Sequence, residues 1–180
     1  IPLFFISKFS IILCLAVIPL VITYPYMKRI TWWPQLWLGI NFNWGILVSY
    51  YTLERLSLNV SILLFYIGSI FLTIAYDTIY GFQDIKDDIK LGIKSTAIKF
   101  SEKPKQFLII NYLCCFLCWG TSLYLVGITL PFSILLCILF ILILLNTKIT
   151  NIEDPISCYK SFKRNSYFQF SISLLLILYN

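Results

Sequence analysis

The chain alternates long uncharged apolar runs with short polar interruptions, and the lengths of those runs set its architecture. Lys8 to Lys28 encloses 19 uncharged residues, Thr31 to Leu53 carries no charge, and Leu56 to Tyr76 adds 21 more. At about 1.5 Å per helical residue, each is long enough to cross a hydrocarbon core of about 30 Å. Gln106 to Thr147 holds 42 uncharged residues, too many for one crossing, and Gly127-Ile-Thr-Leu-Pro131 supplies a turn near its middle. Two helices are predicted there, 107–126 and 130–147. The last run, Asn165 to Asn180, has 16 residues and reads as a short final span. Pro19 and Pro34 read as helix starts or kinks, which a bundle tolerates when neighbouring groups re-satisfy the backbone. Ile1 to Tyr26 lacks the basic start and small-residue cleavage site of a signal peptide, so it is read as a span. The pattern predicts an all-α, multi-span transmembrane helix bundle of about six helices, with residues 1–180 forming a single domain.

Composition agrees with the pattern. Apolar residues make up 59% of the chain, aromatics 18% and charged residues only 12%, with a mean hydropathy of +0.86, far from the range of a soluble domain. The net charge of +6 is explained by topology. With six spans, twelve of the fourteen Lys and Arg residues fall on one side: Lys28, Arg29, Lys86, Lys90, Lys94, Lys99, Lys103, Lys105, Lys148, Lys160, Lys163 and Arg164. Only Lys8 and Arg55 fall on the other. The positive-inside rule makes the first side cytoplasmic, or the matrix side in a mitochondrion, so the basic balance calls for no nucleic acid. Trp32, Trp33 and Trp37 lie near that boundary and read as an interfacial belt. Five of the six cysteines lie in apolar runs; Cys115-x-x-Cys118 has a redox or zinc spacing, but without any histidine it reads as packing.

The exception to the apolar pattern is Tyr76–Ala97, which holds four of the eight acidic residues, Asp77, Asp84, Asp87 and Asp88. If the third helix continues past the membrane surface, Asp77, Asp84 and Asp88 fall within about 40° of one another on a helical wheel. Lys86 and Lys90 point nearly the opposite way. Three carboxylates on one face repel one another unless a cation sits between them, and oxygen-only ligands point to Mg²⁺ or Mn²⁺. Magnesium held by carboxylates commonly completes its shell with phosphate oxygens, so a phosphorylated lipid is the expected substrate class. An ordinary solvated loop would carry the same charges; Asp77, at the end of an apolar run, favours the functional reading.

Asp77-x-x-Tyr80-x-x-x-Asp84-x-x-Asp87-Asp88-x-x-x-Gly92-Ile-Lys-Ser-Thr-Ala97 resembles the second aspartate-rich motif of the 4-hydroxybenzoate polyprenyltransferases, a branch of the intramembrane aromatic prenyltransferases. Tyr24-Pro25-x-Met27-Lys28-Arg29-x-Thr31-x-x-Pro34-Gln35-x-x-Leu38-Gly39-x-x-Phe42-x-Trp44 is similar to that family's loop between its fourth and fifth helices. The resemblance implies a nine-helix bundle in which two aspartate-rich motifs face each other across a cavity. There Mg²⁺ grips the diphosphate of a polyprenyl diphosphate, and the ring of 4-hydroxybenzoate is prenylated in ubiquinone biosynthesis. It implies Asp84 and Asp88 as metal and diphosphate ligands, Asp77 as a further ligand or acid/base group, and Tyr80 beside it. Lys94 is expected to reach a phosphate oxygen, while Lys28 and Arg29 bind diphosphate or the benzoate carboxylate. Arg29 is favoured for the carboxylate because its fork binds in a bidentate manner. Topology alone would also place Lys28 and Arg29 where they are. Phe42, Trp44, Phe65, Phe71 and Phe82 have the character of a prenyl tunnel, although packing roles are commoner at such spacings.

The family's first aspartate motif has no counterpart here. The chain, which begins with Ile1, is therefore expected to be an N-terminally truncated member lacking about three helices, inactive alone and dependent on a separate N-terminal fragment. A non-catalytic membrane bundle or remnant, and a prenyltransferase with another acceptor, are the alternatives. Richness in Ile, Leu, Phe, Lys and Asn favours a bacterial inner membrane over a mitochondrial one.

Overall fold

Ten helices and no strand are found among the residues described, 8–53 and 59–179 of a computed structural model. Arg55 lies outside them. Helices α1 (Lys8–Ala16) and α2 (Ile18–Ile30) form one nearly continuous apolar rod, interrupted at Val17, close to Pro19, which has no N–H to give to the carbonyl four residues back. Helices α3 (Pro34–Phe42) and α4 (Trp44–Leu53) follow. Then come α5 (Val60–Gly81), the short α6 (Ile85–Lys90) and α7 (Thr96–Lys99), α8 (Pro104–Val126), α9 (Leu130–Ile149) and α10 (Pro155–Tyr179).

Four of these are long and apolar enough to cross a membrane: Phe9–Ile30, Val60–Gly81, Pro104–Val126 and Leu130–Ile149. The turn expected between the last two is present, with Gly127 in the left-handed region at φ +82° and Pro131 in the first turn of α9, as helix termination and restart require. The other two predicted runs are helical in a different form. Thr31–Leu53 is divided at Asn43, and α10 carries Lys160, Lys163 and Arg164 in its first half.

Helix α5 is the axis around which the others pack. Its glycine Gly68 lets the indole of Trp119 on α8 lie directly on the backbone: a Cβ there would sit 2.8 Å from Nε1. That Nε1 donates to the carbonyl of Phe65 at 3.0 Å, and the Phe65 ring stacks on the indole. Gly39 of α3 plays the same part, since a Cβ would meet Ile70 Cγ2 at 3.0 Å and its carbonyl at 3.2 Å. Small residues at crossings are how membrane helices gain close van der Waals contact. Several polar groups at these interfaces are paired. Asn43 donates to the Gly39 carbonyl, the Ser69 carbonyl and Thr73 Oγ1, Ser61 meets Ser122, and Tyr112 Oη donates to Asn165 Oδ1 at 2.7 Å. Cys115 packs in the core beside Leu108 and Tyr112.

The helix expected to carry Asp77, Asp84 and Asp88 on one continuous face does not continue: α5 ends at Gly81. A Cβ on Gly81 would stand 3.1 Å from the Ala97 methyl. The next residue, Phe82, is buried and caps the helix through its N–H to the Thr78 and Ile79 carbonyls. Asp84 then opens α6 by accepting the amides of Asp87 and Asp88 on its own carbonyl. The acidic residues therefore lie on two helices joined by a turn, and the single-helix stripe is corrected accordingly. The tryptophan belt is likewise narrower than expected. Trp32 is exposed, whereas Trp33 packs against the stacked pair Phe100 and Phe107, and Trp37 donates its Nε1–H to the Leu20 carbonyl of α2 at 2.9 Å.

Candidate functional site

The two motifs singled out in the sequence meet in space. At the end of α2, the Lys28 carbonyl accepts the amide of Lys94 at 2.8 Å, and the Ile30 carbonyl accepts Lys94 Nζ at 3.3 Å. The ammonium also lies 5.9 Å from the ring centre of Trp32. A cation at a helix C-terminus is favoured by the unpaired carbonyls there. One step further along, the buried Gln35 accepts the amide of Thr96 at 3.1 Å. The Thr96 hydroxyl meets that of Thr78 on α5 at 2.6 Å, and Ala97 seals against Gly81. The Gly92–Ala97 segment is thereby held to α2, α3 and α5 together. Gly92 makes the approach possible, at φ +66°, where the Ile93 amide returns to the Asp88 carbonyl.

This clamp fixes α6 and its carboxylates. Asp84 occupies the N-cap position of α6, yet its side chain makes no capping bond and is exposed, so both oxygens are free for a ligand. Asp88, one turn along, is only 9% exposed. Burial pushes its carboxyl above the usual range, the Lys28 charge pulls it back, and the neighbouring charges of Asp84 and Asp87 push it up again. Asp87 turns away into an exposed pair with Lys90 at 3.1 Å, the one ion pair among the described residues. Asp77, partly buried on the last turns of α5, shares the field of Lys28 and neighbours Tyr24 and Tyr76.

Of the residues named from the sequence, Lys28 is thus within electrostatic reach of Asp77 and of Asp88, and Asp88 of Asp84. The others are placed differently. Arg29 is exposed and forms no ion pair among the described residues. Lys94 is engaged by the end of α2 rather than by the carboxylates. Tyr80 is 43% exposed with its ring tilted against Phe162 of α10, 5.2 Å between centres. A cavity of about 230 Å³ reaches Tyr76 from the bundle side and is lined by Phe42, Asn43, Phe65, Thr73 and Trp119 among others.

Gln35 and Asn43 were given no role in the sequence. Gln35 belongs to the Tyr24–Trp44 motif, and a polar side chain just inside a proline-initiated helix was the available signal. The donor set near Asp84 and Asp88 consists of carboxylate oxygens, the chemistry a hard divalent cation takes. Among the described residues no three acidic or cysteine side chains gather closely enough to hold a metal ion. The fit is that of part of a coordination shell.

The chain is similar in sequence to known proteins. Over 157 residues the chain is 38% identical to the mitochondrial 4-hydroxybenzoate polyprenyltransferase of Drosophila pseudoobscura pseudoobscura, covering 87% of this chain and 39% of the relative. It is 35% identical over 159 residues to 4-hydroxybenzoate geranyltransferase 2 of Lithospermum erythrorhizon, covering 88% and 52% respectively. With the mitochondrial 4-hydroxybenzoate polyprenyltransferase of Bos taurus the identity is 48% over 103 residues, covering 57% of this chain and 28% of the relative. The chain thus spans about half or less of the length of each of these relatives. No solved structure matches it. With the description "UbiA prenyltransferase family" matched over residues 1–173, this chain belongs to the UbiA prenyltransferase family.

Proposed function

We propose that the protein to which this sequence belongs transfers a polyprenyl group from polyprenyl diphosphate to the ring of 4-hydroxybenzoate, as a step toward ubiquinone. The observation that carries the reading is the docking of the Tyr24–Trp44 motif onto the Gly92–Ala97 segment, with the Lys28 charge in electrostatic range of Asp77 and Asp88. In this reading Asp84 and Asp88 present carboxylate oxygens to Mg²⁺, with Asp77 behind them. Bound there, magnesium supplies a Lewis-acid contact to the diphosphate.

The chain's own groups supply the rest. Lys28 places positive charge where the leaving group accumulates negative charge, which lowers the barrier to cleavage of the donor C1–O bond. Lys94, tethered by its amide, keeps the loop closed, and its ammonium reaches diphosphate by exchanging the Ile30 carbonyl for a phosphate oxygen. The new C–C bond forms ortho to the phenol, and the ring then loses its proton. The cavity at Tyr76, lined largely by apolar and aromatic side chains, suits an isoprenoid chain.

We further propose that a second aspartate-rich segment outside these 180 residues completes the metal shell, and that the 180 residues alone do not turn over. The membrane assigned to the protein is the mitochondrial inner membrane, because relatives whose names carry a compartment are mitochondrial; this replaces the preference for a bacterial membrane drawn from composition. The test is transfer of a radiolabelled prenyl group to 4-hydroxybenzoate by the full-length protein in membranes with added Mg²⁺, with other phenolic acids as competitors. Labelled 3-polyprenyl-4-hydroxybenzoate is expected. Absence of transfer at every donor length overturns the reading, and transfer only to another phenol reassigns the acceptor.

A further inference from the structure

On the side of the bundle where α9 and α10 meet lies a groove of about 280 Å³ to which none of the motif residues contributes. Its walls are aliphatic and aromatic, with Leu139, Leu142 and Ile143 from α9 and Phe168 from α10. Leu142 is 56% exposed, so the groove opens outward. One full charge lies in it. Arg164 Nη1 donates to Asn146 Oδ1 at 3.1 Å, while Asn146 donates its own amide to Ser161 Oγ at 2.9 Å. The asparagine is thus held by α10 and in turn holds the guanidinium, using one of five N–H donors. No carboxylate pairs with Arg164 among the described residues. The adjacent Asn165 faces the core, where it accepts the Tyr112 hydroxyl.

Arg164 is level with Asn146, three residues before the end of α9 at Ile149, or about 4.5 Å of helix. That is the side of the membrane bearing Lys148, Lys160 and Lys163, all exposed. Tyr167, on the next turn of α10, is 60% exposed and is of the type that sits at the headgroup level. An uncompensated guanidinium at the mouth of an apolar inter-helix groove, within a basic rim, matches a phosphate headgroup with an acyl chain below it.

We propose that the α9–α10 groove binds an anionic phospholipid of the leaflet facing the aspartate loop, with Arg164 on its phosphate and an acyl chain along Leu139, Leu142 and Phe168. Native mass spectrometry of the full-length protein, titrated in detergent with phosphatidylglycerol and with phosphatidylcholine, tests it. The wild type is expected to retain phosphatidylglycerol about fivefold more strongly, the preference that one interfacial basic side chain provides. Arg164→Gln removes that preference. Ser171→Leu fills the far end of the groove and weakens retention of both lipids with the charge intact. If Arg164→Gln fails to fold, Arg164→Lys serves in its place and is expected to lower the preference, because the fork is lost. Equal retention of the two lipids by the wild type, a preference unchanged in the arginine variants, or full displacement of the lipid by inorganic phosphate overturns the proposal.

Discussion

Asp88 shows how a single side chain in this site is tuned against its own comfort. A carboxyl whose value is raised by burial binds its proton more tightly folded than unfolded, so the folded state loses stability as pH rises from the ordinary 3.8 through the raised value. Asp88→Asn removes that penalty. Thermal unfolding in detergent is expected to show a higher midpoint for the variant at pH 7, with the advantage shrinking as pH falls toward 3.8. An unchanged midpoint at pH 7 would show that Lys28 already compensates the charge fully. At this scale the pair Asp84 and Asp88 was legible, because spacing of four places two acids on successive turns of any helix. The wider stripe with Asp77 was not legible, because it depended on a helix that Gly81 and Phe82 stop. Gln35 was not legible either, since only the fold brings it to the Thr96 amide, 61 residues away.

Among the elements, α5 and α8 are joined by contact rather than by charge, and the tightest point is Gly68 under Trp119. Gly68→Val forces the indole outward or the helices apart and is expected to cost about 1–3 kcal/mol, read as a lower unfolding midpoint. Gln35→Leu tests the other junction. It leaves the buried Thr96 amide unpaired, at a cost of about 1–3 kcal/mol, and loosens the Gly92–Ala97 segment. Hydrogen exchange at Thr96 should rise in that variant and stay unchanged in Lys90→Gln, which removes only the exposed ion pair. Charge-free run length located α5, α8 and α9 well because a membrane span needs its apolar residues uninterrupted. It missed the division of Thr31–Leu53, where Asn43 carries no charge yet turns its amide onto α5.

For the whole molecule, the positive-inside rule leads to the expectation that the aspartate loop lies on the side of the membrane carrying most of the Lys and Arg residues. A membrane-impermeant maleimide should label Asp87→Cys from that side only in vesicles of defined orientation, above the background of the native cysteines. Labelling from the opposite side would invert the topology. The all-α bundle was legible from composition and run lengths, and the family from two separated motifs. What composition could not supply is how those motifs share a site, because the link runs through backbone contacts between α2 and the Gly92–Ala97 loop.

The most direct test of the account is the rate of prenyl transfer to 4-hydroxybenzoate by the full-length protein carrying Asp84→Asn or Asp88→Asn, measured across a Mg²⁺ titration. Each variant is predicted to lose roughly 100-fold or more in kcat/KM and to require more Mg²⁺ for half-maximal activity. Wild-type rates and an unshifted Mg²⁺ dependence in both variants would contradict it.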